Sequence, residues 1–526
     1  MSHCVVWCKS HSDIDRQTLT SNRGYLHIGH AKAALLSDYF AHQAYDGKLR
    51  LRLDDTNPSK EKEEFQDAII EDLALMGVKP DFVSFTSDHF DHIYESCLTL
   101  IKAGQAYADD TDVETMRDER GRGIASKRRE RTVEENLRIF DEMKVGSAEG
   151  LKNCIRAKIS VDNPNKAMRD PVIYRCNPND PHHRTGTKWK MYPTYDLACP
   201  VVDSLEGVTH ALRSTEYTDR NPQFQWFLDT LKLRQVYMWD FARMNFIRTF
   251  LSKRKLAKLV DTGRVWGWDD PRMPTIRGVR RRGMTIPALR DFILKQGPSR
   301  NVVSMDWASF WATNKKEIDP VAPRHTAILK KDAVKVTITG EGTPAEPRSE
   351  DKPLHPKNAA VGTKKVAFST ELIMDQADAK SFKPDEEITI MQWGNAFVRT
   401  IVPASNSEQA ITNLTCELNL QGDVRSTEKK VTWLSTQGQT LVAAELWEFD
   451  YLITKDKLEE DDDLEQFLNP VTATMEEALG DENLARYKRD DIVQLERRGY
   501  YRVDKGYDEG DERKVVLFLI PTGKGK

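Results

Sequence analysis

The chain has 526 residues, of which 39% are hydrophobic and 30% are charged, and its formal net charge is −4. At roughly 100–200 residues per domain this length predicts three or four domains, and the near-balanced charge argues against nucleic-acid binding through an overall positive charge. No run of about 18 apolar residues predicts a membrane span. Seven scattered cysteines and a first segment without a secretory or organellar leader indicate a cytoplasmic protein with reduced thiols.

Residues 24–36 place His27, Gly29 and His30 where an irregular segment turns into an alanine- and leucine-rich helix. The backbone N–H groups and the positive dipole end at such a helix start favour an anion, and Gly29 has no Cβ to hinder a ligand. The dipole contributes only about 0.3–1 kcal/mol. Phosphoryl chemistry at this position would therefore need more positive charge from elsewhere in the chain.

Residues 48–53 alternate polar and apolar side chains as a strand does, and Asp54 and Asp55 follow at its carboxyl end. Ligands bind at that end of the strands in open α/β sheets. The Asp54 carboxylate would suit an α-amino group. The alternative is that both aspartates cap the following turn, and for Asp55 we expect the capping role.

The remaining pattern predicts helices at 62–76, 92–103 and 221–230, a strand at 236–239, and mainly helical structure from 257 to 323. Ile70 and Trp266 are among the expected core residues. From residue 327 onward, short β-rich runs separated by turns predict barrels. The acidic run at 459–463 is expected to face solvent.

Two features could be taken for binding sites. His182 and His183 are adjacent in a loop rich in proline, asparagine and aspartate, and without a cysteine partner in ligand spacing we expect surface residues rather than a metal site. The basic segments 127–131, 277–282 and 497–498 are, taken singly, more typical of solvated faces than of RNA contacts.

Several motifs together resemble one enzyme family. His27 to His30 (His-Ile-Gly-His) is similar to the first signature of class I aminoacyl-tRNA synthetases, and Leu251 to Arg254 (Leu-Ser-Lys-Arg) is similar to the second. Residues 52–58 and 268–275 resemble hallmarks of the glutamyl/glutaminyl subfamily. Residues 314–324 are more similar to eukaryotic-type glutamyl-tRNA synthetases.

This resemblance implies an α/β fold with four parts. They are a Rossmann-like catalytic domain in two halves (1–107 and 191–240), an inserted acceptor-stem-binding domain (108–190), a lysine-loop and helical stem-contact domain (241–325), and two β-barrel anticodon-binding domains (326–526). The implied reaction is the ATP-dependent ligation of L-glutamate to tRNA(Glu) through a glutamyl-adenylate, with Mg²⁺ accompanying ATP.

The resemblance also assigns roles to individual residues. A free glutamate has an anionic side chain, so its pocket needs a cation and a phenolic or amide partner. The implied glutamate-binding residues are Asp54, Tyr195 and Arg213; the implied ATP-binding residues are His27, Gly29, His30, Ser252, Lys253 and Arg254, of which His27, His30 and Lys253 are the expected catalytic groups. The compact ammonium of Lys253 suits a departing pyrophosphate.

Two alternatives remain at this point, and a third is excluded. Glutaminyl-tRNA synthetases share nearly every motif. A catalytically impaired tRNA-binding paralogue is the second, because residues 13–23 replace the Arg-Phe-Pro-Pro segment of relatives, and Arg16 and Arg23 are only loose substitutes for its arginine. A dinucleotide oxidoreductase is excluded because no G-x-G-x-x-G follows the first strand. Expected partners are tRNA(Glu) and multi-synthetase or scaffold proteins, with no membrane.

Overall fold

The computed structural model describes residues 3–6, 25–58, 63–405, 407–459, 461–509 and 512–523. The chain divides into two compact units, Met1–Asn245 with Ile293–Ser304, and Phe246–Phe292 with Met305–Lys526. Within the described ranges, no helix has the length and apolar character needed to cross a bilayer. The expectations for Arg16, Arg23 and the segment 13–23 fall outside the described residues.

The first part of the chain contains both strands and helices. The strands are β1 (His3–Val6), β2 (Lys48–Leu53), β3 (Phe82–Phe85), β4 (Ala106–Asp109), β5 (Cys154–Ala157), β6 (Val172–Cys176), β7 (Met191–Pro193), β8 (His210–Ser214) and β9 (Tyr237–Phe241). The helices are α1 (Ile28–Asp38), α2 (Glu63–Leu75), α3 (Phe90–Lys102), α4 (Val113–Arg122), α5 (Val133–Val145), α6 (Tyr195–Leu205) and α7 (Asn221–Thr230).

A parallel sheet in the order β3-β2-β1-β8-β9 forms the centre of the first unit. The order reverses between β1 and β8, which is the arrangement of a doubly wound nucleotide-binding sheet. Because parallel strands share a direction, the residues that follow β1, β2 and β8 emerge at the same edge of the sheet. Asp54 directly follows β2, Arg213 is the next-to-last residue of β8, and His27 precedes α1, the first described helix after β1.

Strands β4 to β7 form a separate four-stranded antiparallel sheet. Its core is continuous with α3, α5 and α6 and includes the fully buried Phe140 and Tyr174. The sheet therefore begins and ends slightly outside residues 108–190, and it is packed on helices of the first unit.

Four helices and two short strands follow. They are β10 (Met244–Phe246), α8 (Lys253–Asp261), α9 (Ile276–Arg281), α10 (Ile286–Gln296), β11 (Val303–Met305) and α11 (Trp307–Ile318). Phe246, Trp307 and Phe310 pack ring against ring inside the second unit.

The rest of the chain is rich in strands. They are β12 (Arg324–His325), β13 (Ala327–Leu329), β14 (Val334–Thr339), β15 (Arg348–Pro353), β16 (Thr363–Phe368), β17 (Glu371–Met374), β18 (Glu387–Ile390), β19 (Gly394–Ala404), β20 (Ser407–Asn419), β21 (Lys430–Val431), β22 (Trp433–Ser435), β23 (Val442–Phe449), β24 (Ala473–Gly480), β25 (Ile492–Leu495), β26 (Gly499–Lys505) and β27 (Val515–Ile520). Two short helices, α12 (Gln376–Ser381) and α13 (Leu464–Phe467), accompany them.

Fourteen of these strands form two seven-stranded sheets that curl into near-barrels, and β15 and β16 pair with each other in a separate two-stranded sheet. One has the order β21-β18-β19-β20-β14-β17-β22, and the other has the order β12-β25-β26-β27-β23-β24-β13. Each has its own hydrophobic core. The first sheet is built from residues between β13 and β23, so it is inserted in sequence between strands of the second.

The expected helices and strands agree with the structure. Two residues that were predicted to lie in the core are exposed. Ile70 on α2 is 42% exposed and Trp266 is 49% exposed. Ile70 lies on the outer face of α2, whereas Leu73 and Met76 are buried. Trp266 is half covered, because its ring contacts Trp447 and Phe449 at the surface of the second seven-stranded sheet. Spacing alone did not distinguish a rim position from a core position.

A buried ion cluster joins β2 to the end of α6. Arg52 donates to Asp203 at 2.5 Å and to Glu206 at 2.9 Å, and the side chains of all three are at most 4% exposed. His89 lies 3.2 Å from Glu206. Burial acts to raise the pKa of Glu206, but His89 and Arg52 outweigh it and lower the pKa to about 2.

Replacing Glu206 should change how stability depends on pH. The folded pKa of about 2 lies below the ordinary value of 4.5, so this carboxylate stabilises the fold above about pH 4.5 and the contribution disappears as the pH falls towards 2. We expect E206Q to cost about 2–3 kcal/mol at neutral pH. The difference from the unmodified chain should shrink as thermal unfolding is followed from about pH 6 to about pH 3.

The control is E149Q, because Glu149 makes an exposed pair with Arg138. That variant should melt almost as the unmodified chain does at each pH. A pH-independent difference for E206Q would show that packing, rather than the ion cluster, sets its effect.

Candidate functional site

The start of α1 is capped by two histidines. His27 is the N-cap residue, and its Nδ1 accepts a hydrogen bond from the backbone N–H of Gly29 at 3.1 Å. The Nδ1 of His30 accepts from the backbone N–H of His27 at 3.1 Å. The N–H groups of His30 and Ala31 donate to the carbonyl of His27. These donors are engaged within the protein, so the expectation that they would face an anion is wrong for Gly29, His30 and Ala31.

The two imidazole rings can supply hydrogen-bond donors in place of the backbone N–H groups. Their rings stack with centroids 3.5 Å apart, and the two residues are 2% and 4% exposed. Because each Nδ1 accepts a backbone N–H, the ring proton lies on Nε2 in both histidines. An Nε2–H group is a hydrogen-bond donor suited to a phosphate oxygen. Gly29 contributes the backbone N–H that holds the His27 ring.

Asp54 follows β2 directly and is 9% exposed. It lies near Tyr217, whose pKa is raised mainly by burial and also by the Asp54 charge. The rings of Tyr217 and Tyr195 lie 5.7 Å apart. Asp54 and Tyr195 therefore lie around the same tyrosine.

Arg213 and Tyr195 are in direct contact. Arg213, near the carboxyl end of β8, donates from Nη2 to the Tyr195 hydroxyl at 2.8 Å. Its guanidinium also lies 5.2 Å from the Tyr217 ring and 5.6 Å from the Phe224 ring. The sequence prediction placed Tyr195 and Arg213 in one pocket, and the structure brings them together.

The charge of Arg213 has no carboxylate partner at salt-bridge distance among the described residues. Its other polar contacts are Asn221 at 3.4 Å and the Met238 sulfur at 3.3 Å, and its Nε is buried without a hydrogen-bond acceptor. Burial acts to lower the pKa of Arg213, but Tyr195, Cys199 and Asp203 outweigh it and raise the pKa. A buried cation surrounded by aromatic rings is suited to an anionic ligand.

Sequence reasoning did not assign roles to Tyr217 and Cys199. Tyr217 lies in a short 3₁₀ segment, Thr215–Arg220, whose sequence carries no motif. The Cys199 sulfur lies 3.8 Å from Arg52 and 3.4 Å from Asp203, and burial raises the pKa of its thiol to about 12. Cys199 therefore remains a protonated thiol beside Arg52 and Asp203.

The lysine-bearing segment lies in the second unit. Ser252 is the N-cap of α8 and makes no side-chain capping hydrogen bond, and the first helical residues are Lys253, Arg254 and Lys255. Cations at a helix N-terminus oppose the positive end of the dipole. A local arrangement that costs stability in this way is typical of an anion-binding segment.

Asp55, His182 and His183 come close enough to resemble a metal site. The expectation that His182 is a surface residue is wrong, because its side chain is fully buried. Its Nδ1 accepts from the N–H groups of Arg184 and Thr185, and its Nε2 lies 2.6 Å from the Asp55 carbonyl oxygen. No lone pair of His182 remains for a metal ion, so these residues do not fit one.

The expectation that Asp55 caps the turn that follows it is wrong. Its carboxylate accepts from the backbone N–H of Ser87 at 2.8 Å and from the Ser87 hydroxyl at 2.6 Å. It therefore holds the segment after β3.

Most of the arginines in the basic segments are paired internally. Arg128 and Arg131 contact Asp110, Arg129 contacts Asp170, Arg281 contacts Asp504, and Arg497 and Arg498 contact Asp378 and Asp375. These pairs reduce the positive charge available to RNA at each segment.

Comparison with known proteins identifies the family. The family of class I tRNA synthetase (E and Q) catalytic domains matches residues 20–320, and two E and Q anticodon-binding domain families match residues 322–419 and 430–504.

Similar curated proteins extend over nearly the whole chain. A probable cytoplasmic glutamate–tRNA ligase of Schizosaccharomyces pombe is 61% identical over 95% of this chain and 69% of its own length. The cytoplasmic glutamate–tRNA ligase of Saccharomyces cerevisiae is 56% identical over the same shares. A bifunctional glutamate/proline–tRNA ligase of Mus musculus is 46% identical over 96% of this chain and 33% of its own length. The parallel sheet, the histidine-capped helix and these matches together show that the chain belongs to the class I tRNA synthetases of the glutamate and glutamine group.

Proposed function

We propose that this chain is a glutamate–tRNA ligase, which joins L-glutamate to tRNA(Glu) at the expense of ATP and supplies glutamyl-tRNA to translation in the cytoplasm. The observation that carries the choice of amino acid is Arg213, a buried cation that the described residues leave without a carboxylate partner. A glutamate side chain would supply that carboxylate. The named activity of the S. pombe and S. cerevisiae relatives supports the same substrate.

Two charged groups of glutamate each have a proposed protein contact. Arg213 binds the side-chain carboxylate, and the Tyr195 hydroxyl orients the guanidinium and borders the same carboxylate. Asp54 binds the α-amino group. The α-carboxylate is then directed towards ATP, because both other charged groups of the substrate are held.

The reaction proceeds in two displacements. The α-carboxylate attacks the α-phosphorus of ATP, forming the P–O bond of glutamyl-adenylate as the bond to pyrophosphate breaks. The terminal adenosine of the tRNA then attacks the activated carbonyl through its 2′-hydroxyl, and AMP leaves. The protein positions the reactants and stabilises charge, and it forms no covalent intermediate with them.

The nucleotide contacts follow from the two signature segments. His27 and His30 donate from Nε2 to phosphate oxygens, and the Gly29 N–H holds the His27 ring through Nδ1. Lys253 follows the departing pyrophosphate, with Ser252 and Arg254 beside it at the start of α8. Mg²⁺ arrives as part of the ATP substrate, held through phosphate oxygens and water. Multi-synthetase or scaffold proteins remain expected partners.

The direct test is aminoacylation with the purified chain. With tRNA(Glu), ATP and glutamate we expect charging, and with tRNA(Gln) and glutamine we expect none, since an amide leaves the Arg213 charge uncompensated. Preferential charging with glutamine would assign the chain to the glutaminyl enzymes. tRNA binding without charging of either kind would indicate a catalytically impaired paralogue.

Removing the Arg213 cation should weaken glutamate selectively. We expect R213A to lower kcat/KM for glutamate about 10²- to 10³-fold, because the substrate carboxylate would enter a buried site without its partner. R213K, which keeps the charge but not the fork geometry, should retain part of the activity. The KM for ATP should stay the same in both variants. An equal rise in the KM for ATP would place Arg213 outside the glutamate pocket.

Two variants of His27 separate its capping role from its role towards phosphate. The amide oxygen of H27N takes the place of Nδ1 and keeps the cap, so its thermal stability should stay near that of the unmodified chain. H27A loses the cap and should lose about 1 kcal/mol. Both lack Nε2, and we expect both to lose about 10²-fold or more in charging rate. Normal charging by folded H27N would contradict the assignment.

A further inference from the structure

The loop between β6 and β7 is closed by backbone hydrogen bonds between its own residues. At its base, the N–H of Asn177 donates to the carbonyl of Lys190 at 2.9 Å. Nearer the tip, the backbones of His182 and Gly186 exchange two hydrogen bonds of 2.9 and 2.8 Å, with Gly186 in the left-handed region at φ 58°. A loop closed in this way presents its side chains at fixed positions.

The His182 ring reaches from this loop to the segment that follows β2. Its Nδ1 accepts from the N–H groups of Arg184 and Thr185 at 3.1 and 3.2 Å. The proton is therefore on Nε2, which donates to the Asp55 carbonyl oxygen at 2.6 Å. Phe90 and Tyr192 pack on the ring at 5.5 and 5.9 Å, which fixes its direction.

Arg184 provides a second connection from the same loop. It donates to the Ser87 hydroxyl at 2.6 Å and pairs with Asp88 at 2.8 Å, and its guanidinium lies 3.8 Å from the Phe85 ring. The Ser87 hydroxyl in turn donates to the Asp55 carboxylate. The loop thus holds Asp55 directly through its carbonyl and indirectly through its carboxylate.

Asp55 is joined by a peptide bond to Asp54, the proposed ligand of the α-amino group. The side chain of Asp55 is 1% exposed, and Thr56 and Asn57 are also buried. Holding the carbonyl and the carboxylate of Asp55 fixes its backbone dihedral angles, and with them the direction in which Asp54 leaves β2.

We propose that His182 is a positioning residue for glutamate: its hydrogen bond to the Asp55 carbonyl holds Asp54 in place and makes the affinity for glutamate depend on the β6–β7 loop. This inference rests on the proposed function. The loop joins two strands of the four-stranded sheet, the part of the chain that the resemblance assigns to the tRNA acceptor stem.

Two amide variants at position 182 divide the hydrogen bonds between them. In H182N the amide oxygen takes the place of Nδ1, so the bonds to Arg184 and Thr185 are kept and the bond to Asp55 is lost. In H182Q the amide nitrogen takes the place of Nε2, so the donor to Asp55 is kept. Both variants lose the ring that packs between Phe90 and Tyr192, which makes them matched controls for packing.

Charging of tRNA(Glu) by the three proteins is measured over a range of glutamate, ATP and tRNA concentrations. We expect H182N to raise the KM for glutamate about five- to tenfold, the effect of one buried hydrogen bond, with kcat and the KM for ATP near those of the unmodified chain. H182Q should restore most of the glutamate affinity. Equal kinetic constants for the two variants, or a fall in kcat alone, would overturn the proposal.

S87A provides an independent measurement if H182N does not fold. It removes the hydroxyl that joins Arg184 to the Asp55 carboxylate, and we expect a two- to fourfold rise in the KM for glutamate with the KM for ATP unchanged. An unchanged KM for glutamate in S87A would count against the loop connection. If the unmodified chain charged no tRNA, the proposed function would fail, and this inference would fail with it. If the unmodified chain charged normally and both H182N and S87A kept its KM for glutamate, only this inference would fail.

Discussion

Parallel pairing of β1, β2 and β8 is the constraint on which the rest of the site depends. Parallel strands bring their carboxyl ends to one edge of the sheet, so Asp54 after β2 and Arg213 near the end of β8 both lie close to Tyr217 although they are far apart in sequence. The Arg52 ion cluster stabilises this arrangement, because it fastens β2 to the end of the helix that begins with Tyr195. The elements that carry the proposed glutamate contacts are thereby held to one another.

The histidine pair illustrates how the same atoms can meet a local rule and a requirement of the proposed function. A helix needs acceptors for its first N–H groups, and His27 and His30 provide them with Nδ1. Once those nitrogens are engaged, each ring presents its proton at Nε2. The cap thus determines the tautomer, and the tautomer makes both rings donors towards an anion.

Much of the fold could be predicted from sequence, because periodicity and turn residues locate β2, α3, α7 and the β-rich half, and four motifs identify the family. The family and the fold class are confirmed, and Tyr195 and Arg213 do meet. The burial of His182, the partner of Asp55 and the exposure of Ile70 could not be predicted. Each depends on which distant segment packs against the residue, and a single sequence does not carry that information.

The nesting of one seven-stranded sheet within the other has a consequence for biosynthesis. β13 pairs with β24, so Ala327 must wait for Gly480 to be made before the two can pair. The inserted sheet, from β14 to β22, contains only residues 334–435. It can close while the ribosome is still translating the outer sheet, which contains β12, β13 and β23 to β27. The outer sheet then forms last, by long-range pairing, which is the slow kind of step. Its early strands β12 and β13 are the part of this half that most needs protection from aggregation on the nascent chain.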